Sequence, residues 1–301
     1  MSKKILITGA SGLIGTRLTA LLRKEGHEII HLSYSLKKTQ GQSYHWNPQT
    51  DILDPEAIRN TGIIIHLAGT GIADKRWSKK RKQEILDSRV RSTRLLAKAL
   101  QQQPHTVKTV ICASAIGYYG FGNEDQVFTE ADSSGKDFLA EVVRQWEQEA
   151  DQFQLLNIRV VKIRIGMVLS EKGGALPKMA TPIKLGIGAP LGRGNQYVSW
   201  IHVDDLCRIF IRAVNDEKMY GVYNGVTDWC TNADMTKAIA AVLRKPLWLP
   251  SVPAFVLKIV LGEMAGLVLK GSKISSEKIK NEGFVFQYLK LHDALQALLR
   301  H

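Results

Sequence analysis

The sequence predicts an α/β chain, a doubly wound and mainly parallel sheet followed by a smaller, mostly helical C-terminal region. Three observations carry this. A glycine-rich turn joins an apolar strand to an amphipathic helix across residues 4–22. Strand and helix patterns alternate through residues 28–165, and beyond residue 232 the apolar spacing becomes helical. With 301 residues, 45% of them hydrophobic, the chain has enough core for roughly two domains.

Ile5-Leu6-Ile7 reads as a short buried strand. It runs through Thr8 into Gly9-Ala10-Ser11-Gly12-Leu13-Ile14-Gly15, after which Leu18, Leu21 and Leu22 continue the helical spacing of Leu13 and Ile14. Strand, glycine turn and helix in that order form the phosphate-binding corner of a dinucleotide site. Gly9 permits the tight turn, Gly12 leaves room for a pyrophosphate, and Gly15 lets the helix lie close to the strand. The anion would meet free amides at the positive end of the helix dipole. Thr8, Gly9, Ser11, Gly12, Leu13, Ile14 and Gly15 are therefore candidate cofactor-binding residues.

Further strands are expected at 28–32, 44–46 (weakly), 63–67, 109–113 and 159–165, with helices at 78–102 and 136–153 between the last three. The second strand bears on the cofactor. An NAD site usually ends this strand with an acid for the ribose 2′-hydroxyl. The segment His31-Leu32-Ser33-Tyr34-Ser35-Leu36-Lys37-Lys38 has none. Ser33, Tyr34, Lys37 and Lys38 suit a 2′-phosphate, so NADP (NADPH) is favoured over NAD; the bland reading leaves the two lysines in a solvated loop. Leu67, Ala68 and Gly69 would line the ribose and nicotinamide side. Ser114, at the end of the 109–113 strand, would face the nicotinamide, or else cap the loop backbone.

A longer set of motifs follows in order: Ala73-Asp74-Lys75-Arg76-Trp77, Asp87-Ser88-Arg89-Val90, Ser114-Ala115-Ile116-Gly117-Tyr118-Tyr119-Gly120, Asp137-Phe138-Leu139-Ala140 and Trp146-Glu147. Then come Gly173-Gly174-Ala175-Leu176, Pro190-Leu191-Gly192, Trp200-Ile201-His202-Val203-Asp204-Asp205, Gly262-Glu263 and Gly283-Phe284-x-Phe286. Together with the opening glycines they resemble the atypical short-chain dehydrogenases often labelled epimerase-family proteins, over nearly the whole chain. The resemblance implies an extended Rossmann fold that binds NADP, a small C-terminal domain of its own, and an undefined substrate.

Ordinary members of that superfamily place Tyr and Lys four residues apart on the helix after the 109–113 strand, where Tyr transfers a proton as hydride moves. Here Leu139 and Val143 align with those positions, within an apolar helix face. An arginine, assigned to Arg89, replaces an Asn common near the start of the preceding helix and could hold a carboxylate or phosphate. The bland reading is an exposed arginine. Tyr118 and Tyr119 are the nearest hydroxyls to Ser114, and His202 titrates near neutrality. Asp204 or Asp205 is expected to cap the helix that starts there, with His202 bracing the turn.

The division expected is a cofactor-binding core at 1–166, with 198–226 returning to it, a glycine-rich substrate loop at 167–197, and a C-terminal cap at 227–301. In the cap, Asn232 is expected to cap a helix at Met235–Leu243, and 252–269 to form a buried or amphipathic helical hairpin rather than a membrane span. The first residues are too polar for a signal-peptide core, and the three cysteines and eight histidines show no metal or disulfide spacing. A metal-free cytoplasmic protein with no membrane partner fits best. The net charge is +13, and six of the eight residues from Lys75 to Lys82 are basic. Without an aromatic platform this argues for an anionic cofactor or substrate rather than nucleic acid. An NADP-dependent oxidoreductase or epimerase acting on a small, anionic molecule leads; a non-catalytic NADP sensor is the alternative. Homodimerisation through the cap's apolar surface stays open.

Overall fold

The computed structural model describes residues 2–34, 41–122 and 126–300. At its centre runs β1 (Lys4–Thr8), whose Ile5, Leu6 and Ile7 are wholly buried, as a central parallel strand requires. From it the chain passes through α1 (Leu13–Lys24), β2 (Glu28–Ser33), β3 (Ser43–Asn47), the short β4 (Ile52–Leu53) and α2 (Glu56–Arg59) to β5 (Ile63–His66). Then follow α3 (Lys79–Gln102), β6 (Thr109–Ala115), β7 (Val127–Phe128), α4 (Phe138–Asp151), β8 (Arg159–Ile165) and β9 (Met167–Leu169). The last third comprises α5 (Ala175–Lys184), β10 (Tyr197–His202), α6 (Val203–Asn215), β11 (Gly221–Gly225), β12 (Asp228–Thr231), α7 (Asn232–Leu243), α8 (Ala254–Leu261), α9 (Gly266–Leu269), β13 (Lys273–Ile274), α10 (Glu277–Asn281) and α11 (Leu291–Leu299).

The main sheet has the order β11-β8-β6-β5-β1-β2-β3-β4, parallel except at β3–β4. Successive side chains of a strand point to opposite faces, so Ile5 and Ile7 meet Leu18 of α1 and Leu206, Ile209 and Phe210 of α6. Leu6 instead joins Leu95, Leu96 and Leu100 of α3 and Ala150 of α4. The strand order reverses between β1 and β5. The carboxyl ends of those strands therefore open the crevice where such sheets bind ligands.

All six strands read from the first half of the sequence are present. The second half departs from expectation in four places. Residues 167–197, expected as a loop, contain β9 and α5. Leu176, Ala180 and Ile183 lie at helical spacing and pack with Trp200, Met235 and Ile239, and that apolar stripe outweighs the flanking glycines. Helix α7 is capped by Thr231, whose hydroxyl accepts from the Asp234 amide at 3.1 Å, while Asn232 instead accepts from the Leu191 amide at 2.8 Å. The 252–269 run is interrupted at Gly262 (φ +61°), and α8 contains no buried residue. Of residues 198–226, β11 joins the main sheet, whereas β10 belongs to a separate β12-β10-β9 sheet.

Candidate functional site

Helices α3 and α4 begin with side-chain caps: Ser78 accepts from the Arg81 amide, and Asp137 from the amides of Leu139 and Ala140. At α1 the capping position is Gly12, which has no side chain to offer, so the first-turn amides face the crevice without a side-chain partner. The turn before it is tight. Gly9 has φ +68°, and a Cβ there would fall 2.8 Å from the Leu67 carbonyl. A Cβ on Gly15 would fall 2.4 Å from Gly9 O and 2.7 Å from Ala10 Cα, so glycine is required for this helix to sit against its strand. Ser11 and Gly12 are exposed, Leu13 and Ile14 half-buried. These features fit a dinucleotide pyrophosphate: open amides, a bare backbone and the positive end of a twelve-residue helix.

Thr8 is completely buried and acts by positioning. Its Oγ1 accepts from the amides of Leu67 (3.1 Å) and Ala68 (3.2 Å) and lies 2.7 Å from His66 Nδ1. The other ring nitrogen, Nε2, is 3.0 Å from Thr93 Oγ1 and 3.3 Å from Ser92 Oγ. Those two hydroxyls donate to carbonyls of α3, which leaves their oxygens as acceptors and assigns the imidazole proton to Nε2. Thr8 then donates to Nδ1. Burial pushes the His66 pKa down to about 3, so the ring stays neutral. The chain from Thr8 to α3 fixes the loop Leu67-Ala68-Gly69 beside the glycine turn.

At the end of β6, Leu139 and Val143 of α4 stand next to Gly117, where the sequence places the missing Tyr and Lys. One turn further along α4, Glu147 is buried. Ser114 Oγ donates to Glu147 Oε1 at 2.5 Å, and Arg164 of β8 clamps both Glu147 oxygens at 2.8 and 2.9 Å. Arg164 Nη1 also donates to Tyr119 Oη at 3.0 Å, and Tyr119 donates to Asn224 Oδ1 at 2.7 Å. Burial lowers the Arg164 pKa, but the hydrogen bonds and charge of Glu147 outweigh it and the net shift is upward. Burial pushes the Tyr119 hydroxyl up to about 12, so it stays protonated at neutral pH and is a weaker acid than a free tyrosine.

Arg89 Nη1 donates to Ile85 O at 3.0 Å and Nη2 to Thr70 O at 3.1 Å, with Trp146 beneath it at 5.3 Å. Among the described residues it forms no ion pair. Gly69 makes room for it, since a Cβ there would sit 3.2 Å from its Cζ. Burial and then the charge of Arg81 bring its pKa to about 10, so it stays cationic. Tyr118 lies with its ring 3.3 Å from Arg164 Cζ, and its hydroxyl has no hydrogen bond among the described residues. His202 is part of the β10–α6 corner. Its Nδ1 accepts from the Asp204 amide at 3.1 Å and its ring stacks on Tyr288 at 3.8 Å. The histidine thus caps α6 itself. The acids expected to do so are engaged elsewhere, Asp204 with Arg17 and Asp205 with the amides of Gln287 and Tyr288. On the side expected for the adenosine, Ser33 ends β2, Tyr34 is exposed, and Lys37 and Lys38 lie outside the described residues. Arg23 Nη2 lies against Gly41 on that side, where a Cβ would fall 2.4 Å away.

The model of the NAD dependent epimerase/dehydratase family matches residues 5–224, and a domain of unknown function, DUF1731, matches residues 252–298. The chain belongs to the epimerase family. It is 38% identical to the chloroplastic epimerase family protein SDR39U1 homolog of Arabidopsis thaliana, over 98% of this chain and 86% of that one. It is 36% identical to epimerase family protein YfhF of Bacillus subtilis, over 98% and 97%. The crystal structure of human epimerase family protein SDR39U1 with NADPH superposes with a TM-score of 0.88 at 30% identity, covering 98% of each chain. Within this NAD(P)-binding family fold, sequence reasoning named Ser114 and Tyr119 but missed Glu147 and Arg164 as the residues that hold them. The buried acid in Trp146-Glu147, on an otherwise apolar helix face, was the available signal. Among the described residues no cluster of His, Cys, Asp and Glu could hold a metal, and no helix is long and apolar enough to cross a membrane.

Proposed function

We propose that the chain is an NADP(H)-dependent oxidoreductase or epimerase-like enzyme acting on a small anionic substrate. The observation that carries this reading is the open α1 terminus against Gly9 and Gly15, in a chain that superposes on a relative crystallised with NADPH. The 2′-phosphate would meet Ser33, Tyr34, Lys37 and Lys38, with Arg23 as a further cation. Bound there, the nicotinamide supplies or accepts the hydride. Arg89, a cation without an acidic partner among the described residues, would hold a carboxylate or phosphate of the substrate.

The proton must come from elsewhere than the usual Tyr-Lys pair. Ser114 donates its own proton to Glu147, so toward a ligand its oxygen can only accept: it would orient a substrate hydroxyl or amide, not polarise a carbonyl. Tyr119 has both hydrogen-bonding directions occupied, and His202 serves the α6 cap. Tyr118 keeps a hydroxyl with no protein partner among the described residues and is the proton donor in this reading. The alternative, a cofactor sensor without turnover, is favoured by Leu139 and Val143 at the Tyr and Lys positions.

Calorimetry on the full chain tests the binding step. NADPH should bind at least about tenfold more tightly than NADH, roughly the 1.4 kcal/mol of one good charge-assisted contact. A folded protein that ignores both nucleotides would sink the proposal. NADPH oxidation across a panel of oxo acids and sugar carbonyls then separates the two readings. Tight NADPH binding with no turnover on any of them favours the sensor.

A further inference from the structure

Helix α8 is out of place for its composition. It is almost wholly aliphatic and aromatic, yet it packs chiefly on the 3-10 turn that follows it. Phe255, Ile259 and Val260 are 64–69% exposed, and Trp248, just upstream, is 69% exposed. Exposed apolar groups gathered on one short helix mark an interaction surface.

The sequence on either side of this helix is one-sided in charge. Between Asp234 and Glu263 the sequence has no acid and four bases, Lys237, Arg244, Lys245 and Lys258. The far end of α8 abuts the basic segment before α3: Gly262 lies against the Arg76 guanidinium, and Glu263 pairs with Lys82. Lys79 and Lys80 stand in the first turn of α3, a turn without any acid. They oppose the positive end of its dipole, an arrangement unfavourable unless an anion is nearby. Among the described residues, Lys75, Arg76, Lys79, Lys80 and Lys258 form no ion pair.

We infer that α8 and its basic border dock the protein peripherally on an anionic lipid surface. Phe255, Ile259, Val260 and Trp248 would enter the interfacial layer, and the flanking lysines and arginines would meet lipid phosphates. Charge complementarity selects this occupant over a second copy of the chain. A two-fold contact pairs the patch with itself and sets its cations against one another. An eight-residue helix also offers far less than the ~800 Å² per partner of a stable interface.

The test is co-sedimentation of the full chain with vesicles of phosphatidylcholine alone or mixed equally with phosphatidylglycerol. Binding is expected to the mixed vesicles only, and to weaken as salt rises. Lys258→Glu should lower the partition roughly tenfold, and Phe255→Ser with Ile259→Ser by roughly tenfold or more, with melting temperatures unchanged. Three results would each overturn the inference. One is absence from the anionic pellet. Another is anionic binding indifferent to the Phe255 and Ile259 changes, which would leave only a basic patch. The third is a dimer in light scattering that those same changes dissolve.

Discussion

At the β1–α1 corner the chain leaves backbone groups open, whereas at the β6–α4 end it closes side chains on one another. The first end has Gly9, Gly12 and Gly15 and an N-terminus with no side-chain cap. The second has Ser114, Glu147, Arg164, Tyr119 and Asn224 in one buried chain of hydrogen bonds. Main-chain amides can be held ready for an anion at little cost, because the helix that presents them is stabilised by its own packing. Buried side-chain charges must satisfy each other within the fold. The comparison teaches that the glycine corner stands ready-made in the backbone alone, while the β6–α4 end of the crevice is closed around a buried ion pair.

The largest expected effect comes from breaking that ion pair. Glu147→Leu strands the Arg164 guanidinium in the core and should cost about 3–5 kcal/mol in urea denaturation. Adding Arg164→Met should recover most of it. A loss below ~1 kcal/mol for Glu147→Leu would mean the network is ornamental, and the contrast between the halves would collapse. Next in size is Gly15→Val, whose Cβ collides with Gly9 O and Ala10 Cα. NADPH affinity should fall more than about 100-fold, some 2.7 kcal/mol, by calorimetry on protein that still melts cooperatively. Unchanged affinity would move the nucleotide elsewhere.

The smallest effect sharpens the join between the halves. His66 is buried and neutral with a pKa near 3, against 6.5 when unfolded. Below pH 6.5 the unfolded chain takes up a proton that the folded ring refuses, so stability is full above 6.5 and declines as pH falls toward 3. Between pH 7 and 5 this histidine should account for about 2 kcal/mol, at about 1.4 kcal/mol per unit. His31 and His202, also lowered by burial, act with the same sign. Denaturation midpoints for the natural chain and His66→Asn should converge at pH 5. Parallel curves would show that the ring is not held neutral.

Much of this could be read in advance because it is local. The β1–α1 corner lies within twelve consecutive residues, and each glycine's role follows from its place in the turn. Ser114 could be placed at a strand end, but its partner could not be identified, since Glu147 lies 33 residues away on another element and Arg164 a further 17. The α6 cap shows the same limit. Either acid after His202 satisfies the capping rule, and the histidine took the role only because Arg17 and the Gln287–Tyr288 backbone claim the acids.

By itself, the sequence determined the alternating strands and helices, the glycine corner and the loss of the Tyr-Lys pair, because strand period, turn geometry and residue identity are properties of neighbouring residues. Only the tertiary structure decided that Ser114 gives its proton to Glu147, that Tyr119 is spent on Arg164 and Asn224, and that α8 stands out from the core. Those outcomes depend on which distant groups arrive within hydrogen-bonding or packing distance, and in a close-packed interior that choice is made by the whole fold at once.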